Sequence, residues 1–223
     1  MKRSFIYFSR IFVFPFLRAC IEEIDGKENL PKEGNFIIAS NHQSHLDSWL
    51  IMFVLNERLK KIHFLGTKEG ISGFIKHTIL YYFSETVAVD RKHVKREKIL
   101  RKLEDVLKKD RIVIIYPEGN SNIKSELLKG KTGVAELALK TGKPVIPIGI
   151  HRKEKSSKYI IRIGKPTYFL KEKELFERTV KDSEDYRFIL REVTDKIMVE
   201  ISKLCKKPYN FNYENNCSTY PQN

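Results

Sequence analysis

Cysteine is scarce. Cys20, Cys205 and Cys217 are the three in the chain; they lie far apart and form neither a CxxC pair nor a metal-ligand spacing. That argues against a zinc site and fits a reducing compartment. Long apolar runs are missing as well. The most apolar stretch, SFIYFSRIFVFPFL at 4–17, is broken by Arg10 and falls short of the roughly 18–20 residues a spanning helix needs. No small-residue cleavage site follows it, so a signal peptide is a poor fit. There is no internal repeat and no long linker. Acidic side chains are in deficit, with 28 Asp and Glu against 42 Lys and Arg and a formal net charge of +14. Such an excess points to an anionic partner: nucleic acid, an acidic membrane surface or a phosphorylated substrate. Charge alone does not choose among them.

What is present suits one folded domain. The chain has 223 residues, 41% hydrophobic and 31% charged, enough for a substantial core. Residues 1–20 form an aromatic segment flanked by Lys2, Arg3 and Arg18. Two readings of it stand side by side: a helix lying in a membrane interface, or a helix packed on the core. Pro15 should kink or end any helix here. From residue 35 the pattern alternates. Apolar, β-prone runs occur at 36–39, 62–65, 86–89, 112–116, 144–150 and 159–163. Helical stretches are expected at 45–57, 71–83, 92–109, 131–141 and 183–204. Strands alternating with helices predict an α/β fold, and short, continuously apolar strands predict a mixed, mostly parallel sheet flanked by helices. The folded domain should run over 21–205. Residues 206–223 are polar and Asn-rich and read as a poorly ordered tail.

Candidate chemistry sits where strands end. Asn41-His42-Gln43-Ser44-His45-Leu46-Asp47 follows the first run. Imidazole titrates near neutral pH and suits general-base work, and a carboxylate on its far nitrogen fixes the tautomer. A five-residue offset would put His42 and Asp47 on different faces of one helix. The pair works if His42 lies in the loop and Asp47 in the first helical turn, with Ser44 as N-cap. Ser44-x-x-Asp47 equally matches a capping box, in which Asp47 merely closes the helix start. His45 is a competing base. Tyr116-Pro117-Glu118-Gly119-Asn120-Ser121 follows the strongest strand, where Glu118 could hold a substrate hydroxyl; an ordinary turn is the plainer alternative. Lys124, Lys129 and Lys131 add positive charge to that loop. Val89-Asp90-Arg91 ends another strand, and Arg91 could grip a phosphate or pair with Asp90. Lys68 and Glu69 follow the second strand in the same way.

Taken together, Asn41-His42-x4-Asp47, Val89-Asp90-Arg91, Pro117-Glu118-Gly119 and Val145-Ile146-Pro147-Ile148 resemble the four ordered blocks of the glycerolipid acyltransferases, whose best-known members are the 1-acylglycerol-3-phosphate acyltransferases. The resemblance covers about residues 20–165. It implies transfer of a fatty acyl group from acyl-CoA or an acyl-carrier protein to a hydroxyl of a lysophospholipid, to give phosphatidic acid or a related product. It implies His42 as general base and Asp47 as its orienting partner. Arg91 would bind the acceptor phosphate, Glu118 and Gly119 would shape the acceptor site, Lys68 would line it, and Pro147 would support the acyl side. The thioester is already activated, so no metal or organic cofactor is called for. The aromatic N-terminal segment would sit on an anionic membrane surface, on the cytoplasmic face of the inner or plasma membrane.

The chain departs from the family pattern at three places. Asn120-Ser121-Asn122 stands where Thr-Arg-Ser is usual, which removes an arginine near the phosphate; Lys124 or Lys129 would have to compensate as point charges. Glu85-Thr86-Val87 lacks the usual glycine, and Gly70 replaces a leucine. These changes leave His42 and Asp47 alone and bear on the acceptor, so another lyso-lipid or glycerol-3-phosphate stays open. A metal-hydrolase reading of His42, His45 and Asp47 lacks a recurrent ligand spacing. A non-enzymatic nucleic-acid or membrane-binding protein is the other class. Residues 91–111 carry ten Lys or Arg against four Asp or Glu, yet show no recognition motif and no interleaved aromatics, which argues against nucleic acid as a partner.

Overall fold

The computed structural model describes residues 3–67, 87–89, 96–153 and 156–211. The chain opens with α1 (Arg3–Phe8), a π turn (Ser9–Val13) and α2 (Phe14–Cys20), then forms β1 (Ile21–Asp25), β2 (Ile37–Ser40), α3 (Leu46–Val54), β3 (Ile62–Thr67) and β4 (Val87–Val89). It continues through α4 (Arg96–Lys108), β5 (Ile112–Ile115), α5 (Gly133–Thr141), β6 (Val145–Arg152), β7 (Tyr159–Ile163), α6 (Leu170–Arg178) and α7 (Glu184–Cys205). The stretch 71–83, Lys68, Glu69, Asp90 and Arg91 lie outside the described residues.

Among the described residues seven strands form one sheet, in the order β1-β7-β6-β2-β5-β3-β4. Every pairing is parallel except β6 with β7. This is the mixed, mostly parallel sheet expected from the alternation. β2 lies between β5 and β6, with Ile38 opposite Ile114 on one side and Ile146 on the other. All four β2 residues are buried, as a central parallel strand requires. The two faces separate by strand periodicity. Ile37, Ala39, Val113, Ile115 and Val145 pack with α4, α5 and α7. Ile38, Ile62, Phe64, Ile112, Ile114, Ile146 and Ile148 pack with α3 and the N-terminal helices.

Pro15 neither ends nor breaks the N-terminal stretch. It sits in the first turn of α2, where a missing N–H costs little. The turn before it is a π turn, in which the Phe14 N–H bonds to the Ser9 carbonyl, five residues away. Ile6, Phe14 and Leu17 are buried on the core, and Phe14 meets Phe53 edge-on at 5.2 Å. The other side of the same stretch exposes Tyr7, Phe8, Ile11, Phe12 and Phe16, each between 47% and 66% accessible. Core packing therefore occupies one side only. No helix among the described residues is long and apolar enough to cross a membrane.

Three elements escape the sequence pattern. β1 (IEEID) is an edge strand beside β7 and buries little beyond Ile21, so it carries no apolar run. α6 buries Phe176 while Leu170 and Leu175 stay more than half exposed; a helix held by one anchor has no clear periodicity. The third concerns the expected tail. After α7 the chain turns at Lys206 in a left-handed conformation and packs on, with Tyr209 only 8% exposed. Residues 206–211 therefore belong to the fold, and 212–223 lie outside the described residues.

Candidate active site

The site is assembled where β2 and β5 run out side by side. Just past β2, the buried side chain of Asn41 takes over the ladder. Its Nδ2–H donates to the Ile150 carbonyl at 2.9 Å, and its Oδ1 accepts the Ile150 N–H at 2.8 Å. This pins the strand exit to β6. The Gln43 Nε2 donates to the same carbonyl at 2.6 Å. His42, between them, is held through its backbone by the loop after β5: its N–H donates to Glu118 Oε1 at 3.1 Å, and its carbonyl accepts the Asn122 N–H at 2.7 Å.

The His42 ring is fixed on two sides. Nδ1 lies 3.0 Å from Asp47 Oδ2. The ring face stacks on Tyr116, with centroids 4.2 Å apart and planes at 17°. An ionised carboxylate only accepts, so Nδ1 carries the proton and Nε2 keeps its lone pair. Asp47 is fully buried while the His42 side chain is 16% exposed. The buried carboxylate thus orients an imidazole that substrate can reach.

Asp47 also closes the helix start. Its Oδ2 accepts the backbone N–H groups of Gln43 and Ser44, at 2.5 and 2.8 Å. It stands in the first turn of α3, where the helix dipole favours a negative charge. The capping and dyad readings are both realised in one oxygen atom. Asp47 Oδ1 has no hydrogen-bond partner among the described residues. Ser44 differs in detail from expectation: His45 occupies the cap position, and Ser44 Oγ accepts the Leu46 N–H at 3.2 Å. His45 is exposed, its ring 6.4 Å from that of His42.

Glu118 does not reach out for a hydroxyl. It is 3% exposed, and both oxygens are committed. Oε1 takes the His42 N–H; Oε2 takes the Asn122 Nδ2–H at 2.7 Å and the Leu128 N–H at 3.0 Å. It shapes the site by tying the β5 loop to the His42 backbone. Gly119, next in line, has a φ of +73° and closes a turn onto the Tyr116 carbonyl, a conformation that favours glycine. Tyr116, given no role by the sequence, both stacks on His42 and hydrogen-bonds Ser48 Oγ at 2.9 Å. Burial pushes its phenol far up, and the Asp47 charge adds to the shift; it stays protonated. Asn41 and Asn122 were also without assigned roles. Their signal was positional only: Asn41 directly follows β2, and Asn122 lies in the loop after β5.

The remaining candidates are dispersed. Lys124 and Lys129 are exposed in the 120s loop; the Lys124 N–H donates to Asn122 Oδ1 and its carbonyl accepts Lys207 Nζ. Pro147 lies opposite Ala39 on β6 and lines a groove of about 380 Å³ with Val145, Phe169 and Ile197, on the α7 side of the sheet. Among the described residues no cluster of three or more His, Cys, Asp or Glu is placed to hold a metal.

A histidine oriented by a buried carboxylate at a strand end can deprotonate a bound hydroxyl. The comparison with known sequences bears on which. A sequence model of the family described as Acyltransferase matches residues 22–151, more than half of the chain. The chain belongs to the acyltransferase family. It is 31% identical over 156 residues to a chloroplastic 1-acyl-sn-glycerol-3-phosphate acyltransferase of Brassica napus, matching 66% of this chain and 42% of that protein. The enzyme of the same description from Saccharomyces cerevisiae is 30% identical over 168 residues, covering 65% of this chain and 50% of that one. For its counterpart in Pseudomonas aeruginosa the figures are 30% over 136 residues, 56% and 48%. The chain thus spans about half the length of these curated relatives. The crystal structure of the 1-acyl-sn-glycerophosphate acyltransferase PlsC from Thermotoga maritima superposes with a TM-score of 0.55 over 89% of this chain and 78% of that one, at 22% identity. The acyltransferase fold is shared. In this family member the dyad and the Pro117-Glu118-Gly119 turn meet at His42, although they lie some 70 residues apart in sequence.

Proposed function

We propose that the chain transfers a fatty acyl group from a thioester, acyl-CoA or acyl-carrier protein, to the free hydroxyl of a lysophospholipid, with 1-acylglycerol-3-phosphate as the favoured acceptor and phosphatidic acid as product. The observation that carries this reading is the 3.0 Å contact between His42 Nδ1 and fully buried Asp47. Family membership and the names of the relatives support the reaction class.

The chemistry follows from the geometry. An alcohol is a weak nucleophile until its proton is taken as it attacks. His42 Nε2 accepts that proton, the hydroxyl oxygen bonds to the thioester carbon, and the carbonyl oxygen becomes negative. Asp47 stabilises the imidazolium that forms. When the C–S bond breaks, the leaving thiolate takes the proton back from Nε2, and the base is regenerated. General-base help of this kind supplies roughly 10²–10⁴-fold. No enzyme nucleophile is needed, since the substrate brings its own.

Both substrates are amphipathic, and the exposed aromatic side of α1 and α2 supports a seat on lipid. Tyr7, Phe8, Ile11, Phe12 and Phe16 project from one side of the stretch, and the +14 charge favours anionic headgroups. We place the protein on the cytoplasmic face of the inner or plasma membrane, as a peripheral or monotopic protein. The test is transfer of labelled acyl groups from each donor to 1-acylglycerol-3-phosphate in mixed micelles. Product with either donor is expected; absence of product with both, and with a panel of other lyso-lipids, would sink the reading.

A further inference from the structure

Asp47 fixes one atom of the His42 ring, and a single hydrogen bond does not fix a plane. The outer torsion of a histidine side chain is broad. The imidazole could still tilt about the line from Nδ1 to Asp47 Oδ2 and swing Nε2 off its target. Tyr116 removes that freedom. Its ring lies face to face with the imidazole, centroids 4.2 Å apart and planes at 17°. The phenol is anchored at its far end, where Oη and Ser48 Oγ are 2.9 Å apart. Ser48 is 7% exposed and follows Asp47 in the first turn of α3. At its other end Tyr116 directly continues β5, whose four residues are all buried. One helical turn therefore holds the imidazole twice, at its edge through Asp47 and at its face through Ser48 and Tyr116.

We propose that Tyr116 is a positioning residue for the base, its ring setting the plane of His42 and stabilising the imidazolium, with Ser48 as its anchor. The proposal rests on the reading of His42 as the general base of an acyl transfer. The face of a phenol ring is its negative side and attracts a cation set over it. A neutral imidazole gains little from this; an imidazolium gains more. His42 carries that charge only once Nε2 has taken the acceptor's proton, so the attraction grows on the way to the transition state and belongs in kcat, not in KM. The hydroxyl has a different task. It is engaged by Ser48, and burial together with the Asp47 charge keeps its proton in place. It anchors the ring and does not act as an acid.

The test compares acyl transfer by wild type, Tyr116→Leu, Tyr116→Phe and Ser48→Ala. Leucine keeps an apolar side chain and removes the ring face. Tyr116→Leu should lower kcat by about 10-fold or more, with KM for donor and acceptor within about 2-fold of wild type. Tyr116→Phe keeps the stack and loses the anchor, so it should recover most of that loss. Ser48→Ala breaks the same bond, and joining it to Tyr116→Phe should add little to either change alone. A kcat in Tyr116→Leu within about 3-fold of wild type, with His42→Ala inactive, overturns the proposal and leaves the acyltransferase reading intact. Equal losses in Tyr116→Leu and Tyr116→Phe, or a raised KM with kcat unchanged, overturn it as well. Proton NMR of the histidine rings gives a readout independent of turnover and of whether Tyr116→Leu folds. The His42 signals, assigned by their loss in His42→Ala, should be moved upfield by the phenol ring current in wild type and in Tyr116→Phe. That result supports the stack even if no acyl transfer is found, and unmoved signals in wild type overturn the proposal.

Discussion

Asp47 performs two tasks with one oxygen, and they can be separated by substitution. Asp47→Asn keeps the size and can still accept the Gln43 and Ser44 N–H groups, so the helix start should survive. With its oxygen in the Oδ2 place it still accepts from His42 Nδ1, but being neutral it cannot stabilise the imidazolium that forms. We expect kcat to fall by about 10²–10⁴-fold with a melting temperature close to wild type, read by transfer assay and thermal unfolding. Glu118→Gln should behave differently. Its amide would face donors from Asn122 and Leu128 where the carboxylate accepts both. A loss of about 1–3 kcal/mol in stability is expected, together with a fall in kcat, read from urea unfolding and from turnover. These residues also show what spacing can tell. His42 and Asp47 are legible because five residues of one turn fix their relation. The work of Glu118 is not, because its donors come from 42, 122 and 128, and no spacing rule joins those positions.

At the scale of elements, the segment after α7 supports the site from behind. The Pro208 carbonyl accepts the Leu127 N–H at 2.9 Å; Leu128, next along, donates to Glu118, and Glu118 holds His42. Tyr209 Oη donates to Asp195 Oδ1 at 2.5 Å, and Arg191, paired with the same carboxylate, donates to the Gly130 carbonyl at 2.7 Å. Gly130 itself packs so closely on Thr194 and Met198 that a Cβ would have no room. Tyr209→Phe removes the bond to Asp195 and should cost about 1–2 kcal/mol, measured by chemical denaturation. An unchanged unfolding midpoint would show that this segment merely lies on the surface. Composition hid it: one tyrosine among Lys, Pro and Asn gives no period to read. β1 was hidden in the same way by its edge position, whereas β2 and β5, buried on both faces, were plain as apolar runs.

For the whole molecule, the sheet divides the labour. One face is closed by α4, α5 and α7, the other by α3 and the N-terminal helices, whose outer side carries the exposed aromatics. Replacing Phe12 and Phe16 by Ser together should weaken liposome binding by more than about 10-fold, because two large apolar side chains are lost from the interface. Both are more than 60% exposed, so the melting temperature should hold. Binding of the wild type to anionic vesicles should weaken with added salt and its binding to zwitterionic ones should not, as the +14 charge requires. Sedimentation with vesicles of each composition checks both statements. The sequence displayed this segment's aromatic, basic-flanked character but left two roles open, since which residues face the core and which the surface is settled only by the folded helices.

The central claim is that His42 is the base for an alcohol supplied by the substrate. The most direct measurement is acyl transfer by His42→Ala beside wild type, with the thioester donor that supports turnover, after thermal unfolding and vesicle sedimentation have shown the variant folded and lipid-bound. The account predicts product from wild type and a loss of about 10²-fold or more in the variant. Product formation by His42→Ala at near wild-type rate would contradict it, and the 3.0 Å contact with Asp47 would then be a helix-start contact with no part in the chemistry.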